Sequence, residues 1–168
     1  MRVALLALAA LASPAVAEVK SVTDQGFSLE TKTVVAASPA RVWAQLIQPK
    51  LWWQSAHTWS GSAANMALDP RAGGCFCERW KGGEAEHGRV IFVQPGKTLR
   101  LSALLGPMQS MPVAAVLTFT LAPKGEGTEV ALAFAASGTF GMDPRKLAPG
   151  VDGVLSGQLA GLAASLRN

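Results

Sequence analysis

The two histidines, His57 and His87, are the side chains best suited to acid–base chemistry near neutral pH. Carboxylates at Asp69, Glu78 and Glu86 are their possible partners. Glu86 and His87 are adjacent, so on a strand they face opposite sides and should not pair directly. Glu78 faces either solvent, the commoner position for a glutamate, or an apolar concave surface, where burial would raise its pKa. His57, His87 and Glu78 are therefore candidate catalytic residues, and the sequence does not choose among them.

Cys75 and Cys77 flank Phe76, and on a strand both thiols would point to the same face. Residues two apart on a regular strand have Cα atoms roughly 6.5 to 7 Å apart, at the edge of disulfide geometry. A disulfide at this spacing would be reducible and a candidate for redox activity. The alternatives are two buried cysteines acting as small hydrophobes, or a metal site with His57 or His87. That last set lacks the paired spacing of structural zinc sites, so we predict a possible disulfide and no metal site.

Large apolar side chains are numerous in a chain that has five Trp and no Tyr. Such rings either line a pocket and stack on a flat ligand, or belong to ordinary core packing. Methionine adapts to irregular apolar pockets, and two methionines lie in a segment bounded by Gly and Pro. The candidate ligand-binding residues are Trp52, Trp53, Trp59, Phe76, Trp80, Met108, Met111, Phe134, Leu155 and Leu159.

The N-terminus has the order of parts of a secretory signal peptide. Arg2 precedes an apolar run over residues 3–12, Pro14 ends the run, and residues 15–17 form a small-x-small cleavage site. A membrane span would need about 20 apolar residues. We therefore predict removal of residues 1–17, a single mature domain over residues 18–168 without a transmembrane segment, and a periplasmic or secreted location.

The charge pattern gives no reason to expect a nucleic-acid partner. The net charge is +4, but no block of like charge appears, whereas non-specific nucleic-acid binding wants a basic patch or stripe. Hydrophobic residues make up 49% of the chain and charged residues 15%. That apolar excess is a weak indication of a lined pocket rather than a solid core.

The elements that must position these residues follow from periodicity and turn signals. Residues 27–36 alternate as a strand, and Ser38-Pro39 begins a helix that Pro49 ends. Residues 50–53 form one further short turn. Consecutive strands joined by tight turns predict an antiparallel sheet. These strands are placed at residues 75–80, 88–93, 98–104, 113–121 and 128–136.

A final helix is predicted over residues 151–166, with an apolar stripe at helical spacing. Gly153, Gly157 and Gly161 run beside the stripe, and each costs a helix about 1 kcal/mol relative to Ala. They indicate either a close backbone approach to the sheet or space left for a ligand. One helix covers only part of so large a sheet, and a twisted sheet curled around it tends to enclose a space. The layout predicts an α+β fold with a cavity between sheet and helix.

Residues 38–46, followed by Trp52-Trp53, resemble the opening of the SRPBCC superfamily. More narrowly, they resemble the branch named after homologues of the heat-shock-protein-90 ATPase activator. Further matching positions lie at residues 73–74, 88–90, 95–99, 127–130 and 151–159.

This resemblance implies the helix-grip fold of START lipid-transfer domains, aromatic polyketide cyclases and the major birch-pollen allergen. In that fold a curved antiparallel sheet wraps a long C-terminal helix, with two short helices after the first strand. The cavity binds sterols, lipids, polyketides or other apolar molecules, and the superfamily shares no catalytic residue set. An exported protein would meet neither the chaperone nor ATP, so no chaperone partner is expected.

The leading hypothesis is an exported carrier that holds a small hydrophobic ligand, without a cofactor. The first alternative is a cyclase- or hydrolase-type enzyme that uses a cavity histidine and a carboxylate. The second is an envelope domain that binds another protein through an exposed Trp- and Met-rich surface.

Overall fold

The computed structural model describes residues 16–167. Two α-helices cover an antiparallel sheet, so the predicted α+β helix-grip fold is confirmed. The strands are β1 (Val16–Thr23), β2 (Gly26–Val35), β3 (Met66–Leu68), β4 (Cys75–Trp80), β5 (Gly83–Gln94), β6 (Thr98–Ala103), β7 (Val113–Lys124) and β8 (Gly127–Gly138). The helices are α1 (Pro39–Leu46) and α2 (Pro144–Ser165), with 3-10 turns at Pro49–Leu51, Ser55–His57, Ala63–Asn65 and Gly106–Ser110.

The eight strands form one sheet in the order β1-β2-β8-β7-β6-β5-β4-β3. Strand β3 was not predicted, because three residues are too few to show an alternating pattern. Strand β1 overlaps the predicted signal peptide. Residues 1–15 of that peptide lie outside the described residues, and Val16 and Ala17 form the first two positions of β1.

Alternation of side chains builds the inner face of the sheet. Along β8, Val130, Leu132, Phe134 and Ala136 are buried, while Ala133 and Ala135 at alternate positions are exposed. Removing a Leu or Phe side chain from water contributes about 1.5 to 3 kcal/mol. The inner face is therefore the main source of stability and the surface on which both helices rest.

Helix α1 begins and ends where local signals predict. The Ser38 side chain accepts a hydrogen bond from the Arg41 N–H at 3.3 Å, and Pro39 occupies the first turn. Val42 and Leu46 are buried, and the helix stops before Pro49. Helix α1 and the 3-10 turns that follow it are the short helices predicted after the strand.

Helix α2 begins seven residues earlier than predicted. Asp143 caps it by accepting a hydrogen bond from the Arg145 N–H at 2.9 Å, and Pro144 follows at the first helical position. Pro149 lies inside the helix. Because the Pro149-Gly150 pair has the composition of a helix breaker, the sequence predicted that α2 begins after it.

The glycines of α2 show what packs against the helix. A Cβ at Gly161 would lie 2.5 Å from the Trp52 carbonyl oxygen, and one at Gly157 would lie 3.1 Å from the Gln54 side chain. A Cβ at Gly153 would meet no atom within 4 Å. A close backbone approach is therefore present at Gly161, but its partner is the segment after α1 and not the sheet.

No helix in the part of the chain that the structure describes has the length and apolar character needed to cross a membrane.

Candidate functional site

Two different covers lie on the inner face of the sheet. Helix α2 packs on β1 and β2. Residues 47–65, called the turn segment below, follow α1 and contain three short 3-10 turns. The turn segment lies near the other edge of the sheet, where its 3-10 turns contact β3 and β4.

Trp52 and Trp53 lie on the inner side of the turn segment and are both buried. The Trp52 ring meets Phe119 at a centroid distance of 6.1 Å, and the Trp53 ring meets Phe76 at 5.3 Å, both edge to face. The indole N–H of Trp52 donates to the Leu46 carbonyl at 3.1 Å, and that of Trp53 donates to the His57 carbonyl at 3.0 Å. With these polar groups satisfied, the rings present only apolar surface to the sheet.

An apolar cavity of about 10 Å³ remains between these rings and the sheet, and we call it the aromatic hollow. Its volume is about that needed for one water molecule. This hollow lies under the turn segment, not between the sheet and α2, and it is far smaller than the ligand-sized cavity predicted there. The hollow is lined by Leu46, Pro49, Trp52, Trp53, Leu68, Phe76, Leu99, Leu101, Leu117 and Phe119.

Glu78 is fully buried next to the turn segment, so a solvent-facing position is excluded. Its carboxylate accepts hydrogen bonds from the Trp59 N–H at 2.9 Å and the Ser60 N–H at 2.5 Å. The ring nitrogen Nε2 of His87 lies 2.9 Å from the same carboxylate. Burial acts to raise the pKa of Glu78, but hydrogen bonds from Ser60, Trp59 and His87 outweigh it and lower the pKa. The predicted direction of the shift is thus reversed.

His87 is buried and lies at a β-bulge. Phe76 of β4 is opposite Gly88 and Cys77 is opposite Glu86, so His87 has no partner residue on β4. Bulges of this kind re-aim a side chain toward a site. The His87 ring lies 5.5 Å from that of Phe76, which lines the hollow. The pair of Glu78 and His87 therefore lies next to Phe76, and neither residue lines the aromatic hollow.

The remaining acid–base candidates do not join this pair. His57 is exposed in a 3-10 turn. Asp69 pairs with Arg71 at 2.6 Å, and Glu86 pairs with Arg89. As expected of neighbours on a strand, Glu86 and His87 face opposite ways.

Gln158 is a buried polar residue of α2 that the sequence reasoning missed. Its side-chain oxygen accepts a hydrogen bond from the Gln54 N–H at 2.8 Å. Its amide nitrogen has no hydrogen-bond partner among the described residues. The burial of Gln158 could have been predicted from its spacing. It lies three residues after Leu155 and four before Leu162, within the apolar stripe.

Cys75 and Cys77 form a disulfide, with Cα atoms 5.4 Å apart. This separation is shorter than that of a regular strand, and the two cysteines lie on β4 opposite the bulge of β5. Glu86 is the third potential ligand grouped with the two sulfur atoms, and neither histidine belongs to that group. Glu86 is already paired with Arg89.

The other predicted ligand-binding residues lie elsewhere. Trp59 is 53% exposed, and its indole N–H donates to the Gln109 side chain at 3.0 Å. Trp80 lies against Gly83 at the turn between β4 and β5. The rest are Met108 (buried), Met111 (half-buried), Phe134 (buried, 6.0 Å from Phe27), Leu155 and Leu159 (both buried on α2). Of the ten candidates, the structure brings Trp52, Trp53 and Phe76 together around the hollow.

Comparison with known proteins gives one sequence family and several similar structures. Residues 26–167 match the family described as polyketide cyclase / dehydrase and lipid transport. No curated protein matches the chain.

Solved structures of similar fold include protein MLL2253 from Mesorhizobium loti, with 23% identity, a TM-score of 0.60 and coverage of 83% of this chain and 96% of that one. CalU16 from Micromonospora echinospora has 16% identity, a TM-score of 0.61 and coverage of 93% and 86%. The Aha1 dimer from Colwellia psychrerythraea has 17% identity, a TM-score of 0.57 and coverage of 83% and 95%. At these identities the similarity establishes a shared fold.

Proposed function

Because this chain belongs to the polyketide cyclase / dehydrase and lipid transport family, as its resemblance to the SRPBCC superfamily indicated, we propose that it binds and carries a small apolar molecule at the aromatic hollow. We also propose, from the signal-like residues 1–17, that it does so outside the cytoplasm. The observation that carries the binding proposal is the composition of the hollow, whose ten lining side chains are all apolar.

A ligand must displace part of the wall, because the hollow itself has room for about one water molecule. The turn segment is the part of the wall suited to move. It consists of short 3-10 turns, whose hydrogen bonds are fewer and poorer than those of an α-helix. Burial of about 300 Å² of apolar ligand surface would contribute roughly 7 kcal/mol at 25 cal/mol per Å². That gain has to exceed the cost of moving Trp52 and Trp53 outward.

Two polar groups near this wall could fix the orientation of a bound ligand. Gln158, which holds the Gln54 N–H, has an unpartnered amide donor among the described residues. A ligand carbonyl or hydroxyl oxygen is the natural acceptor for it, since a buried donor without a partner costs about 1 to 3 kcal/mol. The pair of Glu78 and His87 is the second such group, on the side of Phe76.

Native mass spectrometry of the protein purified from its own host tests the proposal directly, and a co-purifying small molecule is expected. A matched pair of variants then locates the site. Leu117 lines the hollow and Leu132 does not, although both are buried to the same degree on neighbouring strands. Leu117→Phe should fill the hollow and abolish ligand binding, while Leu132→Phe should leave it intact. An empty protein, with no binder among lipids and aromatic compounds, would count decisively against a carrier.

A second candidate function is acid–base catalysis, which the buried contact between Glu78 and His87 favours. A positioned acid–base group contributes about 10² to 10⁴ in rate. His87→Gln should therefore remove activity of that size if the protein is an enzyme. In a carrier the same variant keeps a hydrogen-bond donor beside Glu78, so it should weaken ligand binding by no more than about tenfold.

A further inference from the structure

The disulfide between Cys75 and Cys77 joins two positions of one strand. It ties together no separate elements. A loop this short also gives the smallest chain-entropy gain that a disulfide can provide. Structural stabilisation therefore explains the presence of this bond poorly, and its surroundings suggest a chemical role.

The two sulfur atoms differ in access. Cys77 is buried, whereas Cys75 is only half-buried. Cys75 lines an open surface depression of about 410 Å³. A small molecule that enters the depression can reach the Cys75 sulfur, and thiol–disulfide exchange requires that access.

Three guanidinium groups line this depression. They belong to Arg71, Arg79 and Arg89, and each pairs with a carboxylate of the protein near the surface. Exposed ion pairs contribute little, so a substrate carboxylate can take the place of a protein carboxylate at a guanidinium group, with two parallel hydrogen bonds. Glu86 lies beside the site, with one carboxylate oxygen 3.8 Å from the Cys75 sulfur. It is placed to accept a hydrogen bond from the Cys75 thiol once the bond is reduced.

We propose that Cys75 and Cys77 form a thiol–disulfide exchange site whose substrate is a small thiol bearing carboxylates, the chemical class of acidic thiol peptides. The substrate thiolate attacks the Cys75 sulfur and forms a mixed disulfide. The bond between the two cysteines breaks, and the Cys77 sulfur leaves with the electron pair and takes a proton from solvent.

A second substrate thiolate then attacks the substrate sulfur of the mixed disulfide and releases Cys75. Two substrate thiols are oxidised to one disulfide, and the protein disulfide is reduced to two thiols. The substrate itself supplies both electrons, so no further reductant is needed.

The test incubates the folded chain with mixtures of reduced and oxidised glutathione, followed by acid quenching, alkylation and mass spectrometry, with circular dichroism to verify folding. We expect reduction of the bond while the protein stays folded. Cys77→Ser should accumulate a mixed disulfide at Cys75. Cys75→Ser should react at least about tenfold more slowly, because Cys77 is buried. Equal reactivity of the two variants, or reduction only on unfolding, would overturn the proposal.

Recognition of the carboxylates is tested separately with a neutral thiol, 2-mercaptoethanol. The combined variant Arg71→Ala and Arg79→Ala should slow the reaction with glutathione and leave that with 2-mercaptoethanol unchanged. Arg145→Ala, at an exposed arginine that pairs with Asp24 far along the chain, is the control and should change neither rate. If the double variant slows both thiols equally, the depression does not select for carboxylates and that part of the proposal is wrong.

Discussion

The inner face of the sheet carries two aromatic clusters that are covered in different ways. Phe27 packs against Phe134 at 6.0 Å and against Phe140 at 5.7 Å, at the end of the sheet that α2 covers. Trp53 and Phe76 meet at 5.3 Å, under the turn segment. Both clusters are buried, yet the aromatic hollow lies only under the second. The nature of the cover, rather than the rings, distinguishes the two regions.

The two covers also differ in the interactions that hold them on the sheet. Helix α2 supplies its own backbone hydrogen bonds and rests on Leu155, Leu159 and Leu162. The turn segment has a few backbone hydrogen bonds of its own and the buried rings of Trp52 and Trp53, and it also relies on side chains of other elements. Glu78 accepts its Trp59 and Ser60 N–H groups, and Gln158 accepts the Gln54 N–H. A cover with few backbone hydrogen bonds of its own can open locally, and this is the basis for placing ligand entry there.

The largest expected effect comes from truncating one ring in each cluster. Phe119→Ala and Phe134→Ala should each lower the free energy of unfolding by about 3 to 5 kcal/mol, because both side chains are buried. Phe119 lines the hollow and Phe134 does not. Only Phe119→Ala should therefore gain affinity for small apolar molecules, measured by tryptophan fluorescence titration. Equal ligand binding by both variants would show that the two regions are equivalent.

The next largest difference between the two covers should follow from loss of the Glu78 carboxylate. Glu78→Gln removes charge-assisted hydrogen bonds worth about 1.5 to 3 kcal/mol each, although partners re-form some of them. We expect a loss of about 2 to 3 kcal/mol in urea unfolding. Hydrogen exchange should accelerate more in the turn segment than in α2, because local opening adds to global unfolding there.

The matched control is Glu84→Gln, at an exposed carboxylate that pairs with Arg79, which should change stability by less than about 0.5 kcal/mol. A uniform acceleration of exchange across both covers in Glu78→Gln would contradict the role given to this carboxylate.

Substitutions at Gly153 and Gly161 of α2 test the contact between the two covers. A Cβ at Gly161 would lie 2.5 Å from the Trp52 carbonyl oxygen, so Gly161→Ala should cost about 1 to 3 kcal/mol despite the better helix propensity. Gly153 faces open space, so Gly153→Ala should gain about 0.5 to 1 kcal/mol. Thermal unfolding of both variants measures the difference. Stabilisation by both would mean that α2 and the turn segment do not touch at Trp52.

The smallest effect is a difference in pH dependence between the covers. The pKa of Glu78 is lower in the folded state than in the unfolded state. Its carboxylate therefore stabilises the protein at pH values above the unfolded-state pKa, and this contribution is lost as the pH falls through the folded-state pKa. Asp152, on α2, has its pKa raised by burial, so its contribution is present at low pH and is lost as pH rises.

Asp152→Asn should therefore stabilise the protein slightly at neutral pH, by less than about 1 kcal/mol, whereas Glu78→Gln should flatten the loss of stability below pH 4.5. Unfolding curves from pH 3 to pH 8 would reveal both effects. Parallel pH profiles for the two variants would refute the opposite signs.

Most of the fold could be predicted because its signals are local. Alternation located β2 and the strands from β4 to β8 to within a few residues, apart from the longer β5, and Ser38-Pro39 located the start of α1. The early start of α2 was missed because Pro149-Gly150 imitates a boundary. For the candidate site, the sequence predicted Trp52, Trp53 and Phe76 among ten ligand-binding residues by type alone, and the structure places these three around the hollow.

The sequence by itself determined which residues are apolar, which alternate and which begin helices, since each of these properties is set by near neighbours along the chain. Only the tertiary structure decided that Glu78 is buried against His87 and that Gln158 holds Gln54. It also decided that the rings of the turn segment nearly close the hollow. These outcomes depend on a bulge that shifts the register of β4 against β5 and on contacts between segments far apart in sequence, and no local pattern encodes either.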